Sequence, residues 1–233
     1  MGPVGVALGG SLRHPGWPVE LGPLHLPARG PGATSGSVVR LRPLRRSDGR
    51  AWREIRLRDR AVIEPWDASS GMTWVQRHAA PMWRSHRALL TAGARRGEAV
   101  PFVITVDGVF AGQVTLGGIQ RGAVLSGWVG YWVDSRLQGR GVATAAVALT
   151  LAHAFDAVGL HRVEATIAPE NMASRAVVTH LGFRQEGLLQ RYLDIDGAWR
   201  DHLLYAMTRE ELPGGLEQLL ARWARIRQTS SGG

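Results

Sequence analysis

A chain of 233 residues with 45% hydrophobic content has room for one sizeable domain plus tails. It holds no cysteine, which excludes disulfides, thiolate metal sites and a cysteine nucleophile. The formal charge of +9 comes from arginine alone, since lysine is absent; a charge excess by itself is a weak footprint of nucleic acid, so such contact is open but not favoured.

Residues 1–18 are crowded with glycine and proline and show no apolar period, which predicts a disordered tail. Met1 to Gly10 lacks the basic stretch of a secretory leader, so a cytoplasmic protein is expected. Val19 to Leu26 reads as a short strand bent at Gly22-Pro23. Val39 and Leu41 alternate with Val38, Arg40 and Arg42, predicting a strand over Val38 to Leu44. Ser47 is placed to cap a helix running to about Ala61, which Glu64-Pro65-Trp66-Asp67 breaks. Thr73 opens a second helix to about Arg95. Asp107-Gly108, between Pro101 to Val106 and Val109 to Leu116, is a two-residue hairpin signal.

A strand over Gly127 to Val133, a polar loop over Asp134 to Gly141 and a helix to Val158 follow. Gly141 to Leu160 is apolar but carries His153 and Asp156, so a buried core helix is expected rather than a membrane span. His161 to Ala168 reads as a strand, and Ala173 to His180 as a short helix ended by Gly182. Strands over Arg184 to Ile195 and Ala198 to Thr208 flank Asp196-Gly197. After Pro213-Gly214-Gly215, Leu216, Leu219, Leu220, Trp223 and Ile226 share one helical face. That face is expected to dock on its own domain; a basic face for ribosomal RNA is the alternative. The boundaries are a tail over 1–18, a main domain over 19–212, and a helix and tail over 213–233.

The most informative segment is Gln138-Gly139-Arg140-Gly141-Val142-Ala143-Thr144, between a strand and a long helix. Glycines let the backbone approach a ligand, and amides at a helix N-terminus point at an anion. Arg140 adds charge. The segment is a phosphate cradle but no P-loop, because no Gly-Lys-Ser/Thr follows. The histidines show no metal spacing, so no metal is expected.

After a strand ending Gly130-Tyr131-Trp132-Val133-Asp134, the pattern Q-x-x-G-x-A resembles the GNAT superfamily of acetyl-CoA-dependent acetyltransferases. The block Glu170-Asn171-Met172-Ala173-Ser174, followed by Leu181-Gly182-Phe183, resembles that family's second signature, and Asn171 is the only asparagine in the chain. The stretch from Tyr192 to His202, with the early Glu64-Pro65-Trp66, is similar to the RimJ and RimL branch. The resemblance implies an α/β GNAT fold, a mixed central sheet with flanking helices. Its splayed fourth and fifth strands are here Gly127 to Val133 and His161 to Ala168. It implies acetyl-CoA as cosubstrate. Tyr131, Trp132 and Val133 would pair with its pantetheine amides, Gln138, Gly139, Arg140, Gly141, Val142, Ala143 and Thr144 would cradle its pyrophosphate, and Asn171 and Ser174 would contact the arm.

The branch implies acetylation of the N-terminal α-amine of a protein, Ala or Ser first, possibly a ribosomal protein, by direct attack in a ternary complex. Acetylation of a polyamine or aminoglycoside, a non-catalytic CoA-binding module and an RNA-associated protein are the alternatives. Glu164 is the first candidate for the base, with Asp134 and Asp201-His202 behind it; Trp66 is the expected acceptor contact. Two departures stand out: Trp128 occupies a position where relatives often have glutamate, and Val178 one where many have the tyrosine that reprotonates the thiolate.

Overall fold

A computed structural model describes residues 16–28 and 36–230. Its centre is an eight-stranded sheet: β1 (Leu21–His25), β2 (Val38–Arg42), β3 (Val100–Val106), β4 (Val109–Gln120), β5 (Ser126–Val133), β6 (Arg162–Ile167), β7 (Arg184–Ile195) and β8 (Ala198–Thr208). The spatial order is β1-β2-β3-β4-β5-β6-β8-β7. Only β5 and β6 pair in parallel; the other neighbours are antiparallel. The expected fourth and fifth strands are β5 and β6 here because β1 adds an edge.

Helices cover both faces. Between β2 and β3 run α1 (Gly49–Arg58), α2 (Arg60–Ile63), α3 (Trp74–Arg77) and α4 (Met82–Arg95). The other face carries α5 (Val142–Asp156), α6 (Met172–Leu181) and α7 (Gly215–Ser230). Ala145 to Ala148, Leu151 and Ala154 of α5 are buried, so this helix is the spine of the main core. A second cluster of Trp52, Ile55, Trp83, Val103 and Phe110 seats α1 and α4 on the opposite face. With both faces covered, β3 is buried at every position.

Both Asp-Gly hairpins form as expected. Asp107 and Gly108 have φ of 52° and 82°, and Asp196 and Gly197 have 54° and 72°. Positive φ at both central residues gives the turn the twist of its strands. No helix of the described residues is long and apolar enough to cross a membrane.

The early helices depart from expectation. Ser47 caps nothing: Asp48 grips Arg42 through both oxygens, at 2.6 and 2.9 Å, and accepts from the Arg45 amide at 2.7 Å. The helix starts at Gly49 and breaks at Asp59, whose backbone leaves helical geometry at ψ 22°. The second expected helix is two. A Thr73–Gln76 capping box opens α3, and α4 begins only after Pro81, which has no N–H to continue the ladder.

The ends also differ. Gly16 to Pro18 are not loose: the Gly16 carbonyl accepts from His153 Nε2 at 2.8 Å, and Trp17 packs on the core. The rest of the expected tail, 1–15, lies outside the described residues, as does the side chain of Ile226. Leu219 and Trp223 are buried where α7 rests on α5 and α6.

Candidate active site

Three register pairs join β5 to β6: Ser126 with Arg162, Gly127 with Val163, Trp128 with Glu164. Beyond Trp128 the two strands separate, and Val129 to Val133 keep partners only on β4. The Asp134 amide donates to Ala111 on β4 at 2.8 Å. Amides alternate sides along a strand, so the Val133 and Tyr131 amides point into the gap. Across it, Tyr131 Oη donates to the Ser174 carbonyl at 3.1 Å and ties α6 to β5; burial raises this phenol's pKa, so it stays protonated.

The gap opens into a cavity of about 1380 Å³. That exceeds the roughly 300–1,000 Å³ of a single-ligand site, so it has room for two substrates. Tyr131, Trp132, Val133, Gln138, Gly139, Gly141, Val142, Ala143 and Thr144 all line it, with Asn171, Ser174 and Trp66. Arg140 does not; it is exposed beside the turn.

The turn before α5 has Gly139 and Gly141 at φ 70° and 86°, and no side chain caps the helix. The first amides of a helix lack an i−4 carbonyl, so those of Val142 to Thr144 are offered to an anion. A Cβ on Gly141 would lie 2.4 Å from the Trp223 ring, so α7 forms the back of this turn. Asn171 caps α6, its Oδ1 accepting from the Ser174 amide at 3.0 Å, and the residue lines the cavity. An unpaired strand edge, an uncapped helix N-terminus and an amide donor suit the amides and pyrophosphate of CoA.

The cavity wall away from this turn is built from side chains. Arg56, buried on α1, lies between the rings of Trp74 and Trp132, its guanidinium 4.8 and 5.3 Å from their centroids. It pairs with Asp67, which also holds Arg77. His78 accepts from Arg56 Nε at 2.9 Å and meets the Trp74 carbonyl at 2.7 Å. A carbonyl only accepts and Nε–H only donates, so His78 is the neutral Nδ1–H tautomer. Burial pushes its pKa down to about 4. Trp132 Nε1 donates to Gln113 at 3.3 Å, and Gln113 contacts His86 at 3.3 Å; burial lowers the His86 pKa too. Asp59 joins this wall to the turn: its carboxylate accepts from the Ser135 amide and hydroxyl, both at 2.8 Å, just before the cradle.

The expected bases separate. Glu164 is not brought to the cavity: it lies in the last register pair before the splay and binds Arg162 at 2.7 Å. Asp134 is committed to Arg58 at 2.5 Å and to the Arg136 amide at 2.9 Å. Asp201 accepts from the Arg191 amide at 2.8 Å and is no part of the wall. His202 is buried and lines the cavity; its Nδ1 donates to the Arg200 carbonyl at 3.2 Å, and none of the hydrogen bonds of the described residues uses its Nε2. Val178 is fully buried, and Trp128 lies across Gly117 and Gly118, so neither offers a proton. The Arg56–Asp67–Arg77–His78 cluster and Trp223 were not expected as site residues.

Residues 39–184 match the family model described as an acetyltransferase (GNAT) domain. The structure of Mycobacterium smegmatis RimJ in complex with CoA-disulfide is 54% identical, covers 89% of this chain and 96% of its own, and superposes with a TM-score of 0.83. The Escherichia coli [Ribosomal protein uS5]-alanine N-acetyltransferase is 27% identical over 72% of this chain and 87% of its own length. Bacillus subtilis YjcK, a probable N-acetyltransferase, is 38% identical over 45% of this chain and 58% of its own length. With the splayed strands and the uncapped cradle, these likenesses show that the chain belongs to the GNAT acetyltransferases, in the RimJ/RimL-like branch, as an N-acetyltransferase using acetyl-CoA.

Proposed function

We propose that the chain acetylates the N-terminal α-amine of a protein, Ala or Ser first, with a cytoplasmic ribosomal protein as the leading candidate. The observation that carries this reading is the charge of the acceptor end. Its carboxylate, Asp67, is held between Arg56 and Arg77. A polyamine or aminoglycoside therefore finds no surplus negative charge there. Relatives named for acetylating ribosomal proteins support the same choice.

Acetyl-CoA supplies the acyl group as a thioester; transfer forms a C–N bond and breaks the C–S bond. The inward amide of Val133 meets the charge that develops on the carbonyl oxygen. The amines of the two acceptor classes differ in what they demand. An N-terminal amine with a pKa of ~7.9 costs about 1.2 kcal/mol to deprotonate at pH 7, a lysine at ~10.4 roughly 4.6 kcal/mol. A modest base suffices for the first, and His202 Nε2 takes its proton, directly or through water. Ser174, beside the Tyr131 link, relays solvent protons to the leaving thiolate. Trp66 walls the acceptor channel.

A mass-spectrometric screen tests the reading. One acetyl group should appear on peptides with a free N-terminal Ala or Ser, and none on N-blocked lysine peptides, polyamines or aminoglycosides. Acetylated small amines would overturn it. His202→Gln should lower kcat roughly 100-fold and flatten the acidic limb of the pH–rate profile. Glu164→Gln should leave that limb unchanged, and the reverse pattern would return the role to Glu164.

A further inference from the structure

Two arginines and two carboxylates line the cavity, and the second carboxylate, Glu170, sits apart in the loop before α6. Arg56 and Arg77 share the single carboxylate of Asp67, and their side chains are 8% and 19% exposed. Their remaining contacts bring no anion: Arg56 Nε goes to neutral His78 and Arg77 Nη1 to the Ala68 carbonyl at 3.1 Å. The neighbouring carboxylate, Glu64, is engaged by Arg60 at 2.5 Å. Among the hydrogen bonds of the described residues, none uses Arg56 Nη1, and both arginines line the cavity.

A buried charge without a full partner is costly, because the water it gave up is not replaced. Here the geometry keeps that charge in place. Trp74 and Trp132 clamp the Arg56 guanidinium, and Trp74 Nε1 holds the Arg56 carbonyl at 2.8 Å. Trp74 also carries Arg77, 4.9 Å over its ring. With Arg56 Nε and Nη2 and both Nη atoms of Arg77 engaged, the pair offers a carboxylate its charge and the Arg56 Nη1 donors.

Its position sets which carboxylate. Trp132, against which Arg56 rests, is one residue from Val133, whose amide faces the reacting carbonyl under the proposed mechanism. The cluster therefore shares the cavity wall with the strand that carries the Val133 amide. An extended peptide advances about 3.5 Å per residue, so the group alongside belongs to its second or third residue.

We infer that the acceptor carries an aspartate or glutamate at its second or third position, and that Arg56 and Arg77 bind this carboxylate. The inference rests on the N-terminal reading above and names its substrate class. Cationic side chains at those positions are repelled by the same pair.

Steady-state kinetics of the full chain with acetyl-CoA test it on matched peptides: Ala-Asp and Ala-Ala-Glu, their Asn and Gln isosteres, and lysine counterparts. The acidic peptides should show a KM about tenfold below the amides, with kcat within about twofold. The gap should shrink at high salt. Arg77→Gln, checked for folding by circular dichroism, should close it. Equal KM for acidic and amide peptides overturns the inference and leaves N-terminal acetylation standing. An acidic preference that survives in Arg77→Gln and Arg56→Gln also overturns it. No acetylation of any peptide overturns both readings.

Discussion

The cofactor end of the cavity is made of main chain: inward amides on β5, the uncapped start of α5 and two glycines at positive φ. The acceptor end is made of side chains from separate elements: Arg56 on α1, Asp67 in the following loop, Arg77 on α3, and His78. Main-chain sites recognise what every CoA thioester shares. Side-chain sites recognise one acceptor and can change residue by residue without disturbing the cradle. The two ends should therefore fail differently.

The largest expected effect is Gly141→Glu. Its side chain must leave a positive-φ turn and displace the Trp223 ring, and its charge opposes the pyrophosphate. Acetyl-CoA affinity should fall at least roughly 1,000-fold, about 4 kcal/mol, in a calorimetric titration of folded protein. Unchanged affinity would mean the main chain at this turn is not the cofactor's seat.

Acid should strike the acceptor end. His78 ordinarily titrates near 6.5 and here near 4, because burial disfavours its charged form and Arg56 and Arg77 add to the effect, with Asp67 opposing. Between those values the unfolded chain binds the extra proton. Stability from His78 is therefore complete above pH 6.5 and is lost as pH falls towards 4, by on the order of 3 kcal/mol. Urea unfolding at pH 7 and 4.5 measures the loss, and His78→Asn should reduce it.

A smaller effect probes the link between the ends. Asp59→Asn weakens the hold of the α1–α2 junction on Ser135. KM for acetyl-CoA and for acceptor should both rise, each about fivefold, or about 1 kcal/mol. A change in one alone would make the two ends independent.

The same contrast decides what was legible. Gln138 to Thr144 and Asn171 to Ser174 are contiguous, so the chemistry of their backbones shows in local spacing. The Asp-Gly turns were legible for the same reason. The acceptor cluster is dispersed. Its one clue was Arg56 beside Trp52 and Ile55 on the inner face of α1, a charge where period 3.6 calls for an apolar residue. Glu164 misled because alternation puts it on the face of Thr166, while nothing in a single strand tells where its neighbour diverges; the divergence comes one residue too late. Trp223 was read correctly as a packing residue, but only the folded chain brings α7 beneath Gly141. Helix breaks at Asp59 and Pro81 were hidden under a continuous polar and apolar rhythm.

The separation of β5 and β6 has a consequence for the molecule between turnovers. Residues 129–133 leave one side of a strand unpaired in the interior of the sheet, facing residues 165–167 of β6, which are unpaired on that side too. An unspliced edge is a template for foreign strands. A pantetheine arm seated there, as the proposed reading has it, would act as a removable ninth strand, and linkage would make that strand a stabiliser: at a hundredfold excess over Kd it adds about 2.7 kcal/mol. The thermal midpoint and the resistance to aggregation of this enzyme thus become readings of how much CoA surrounds it.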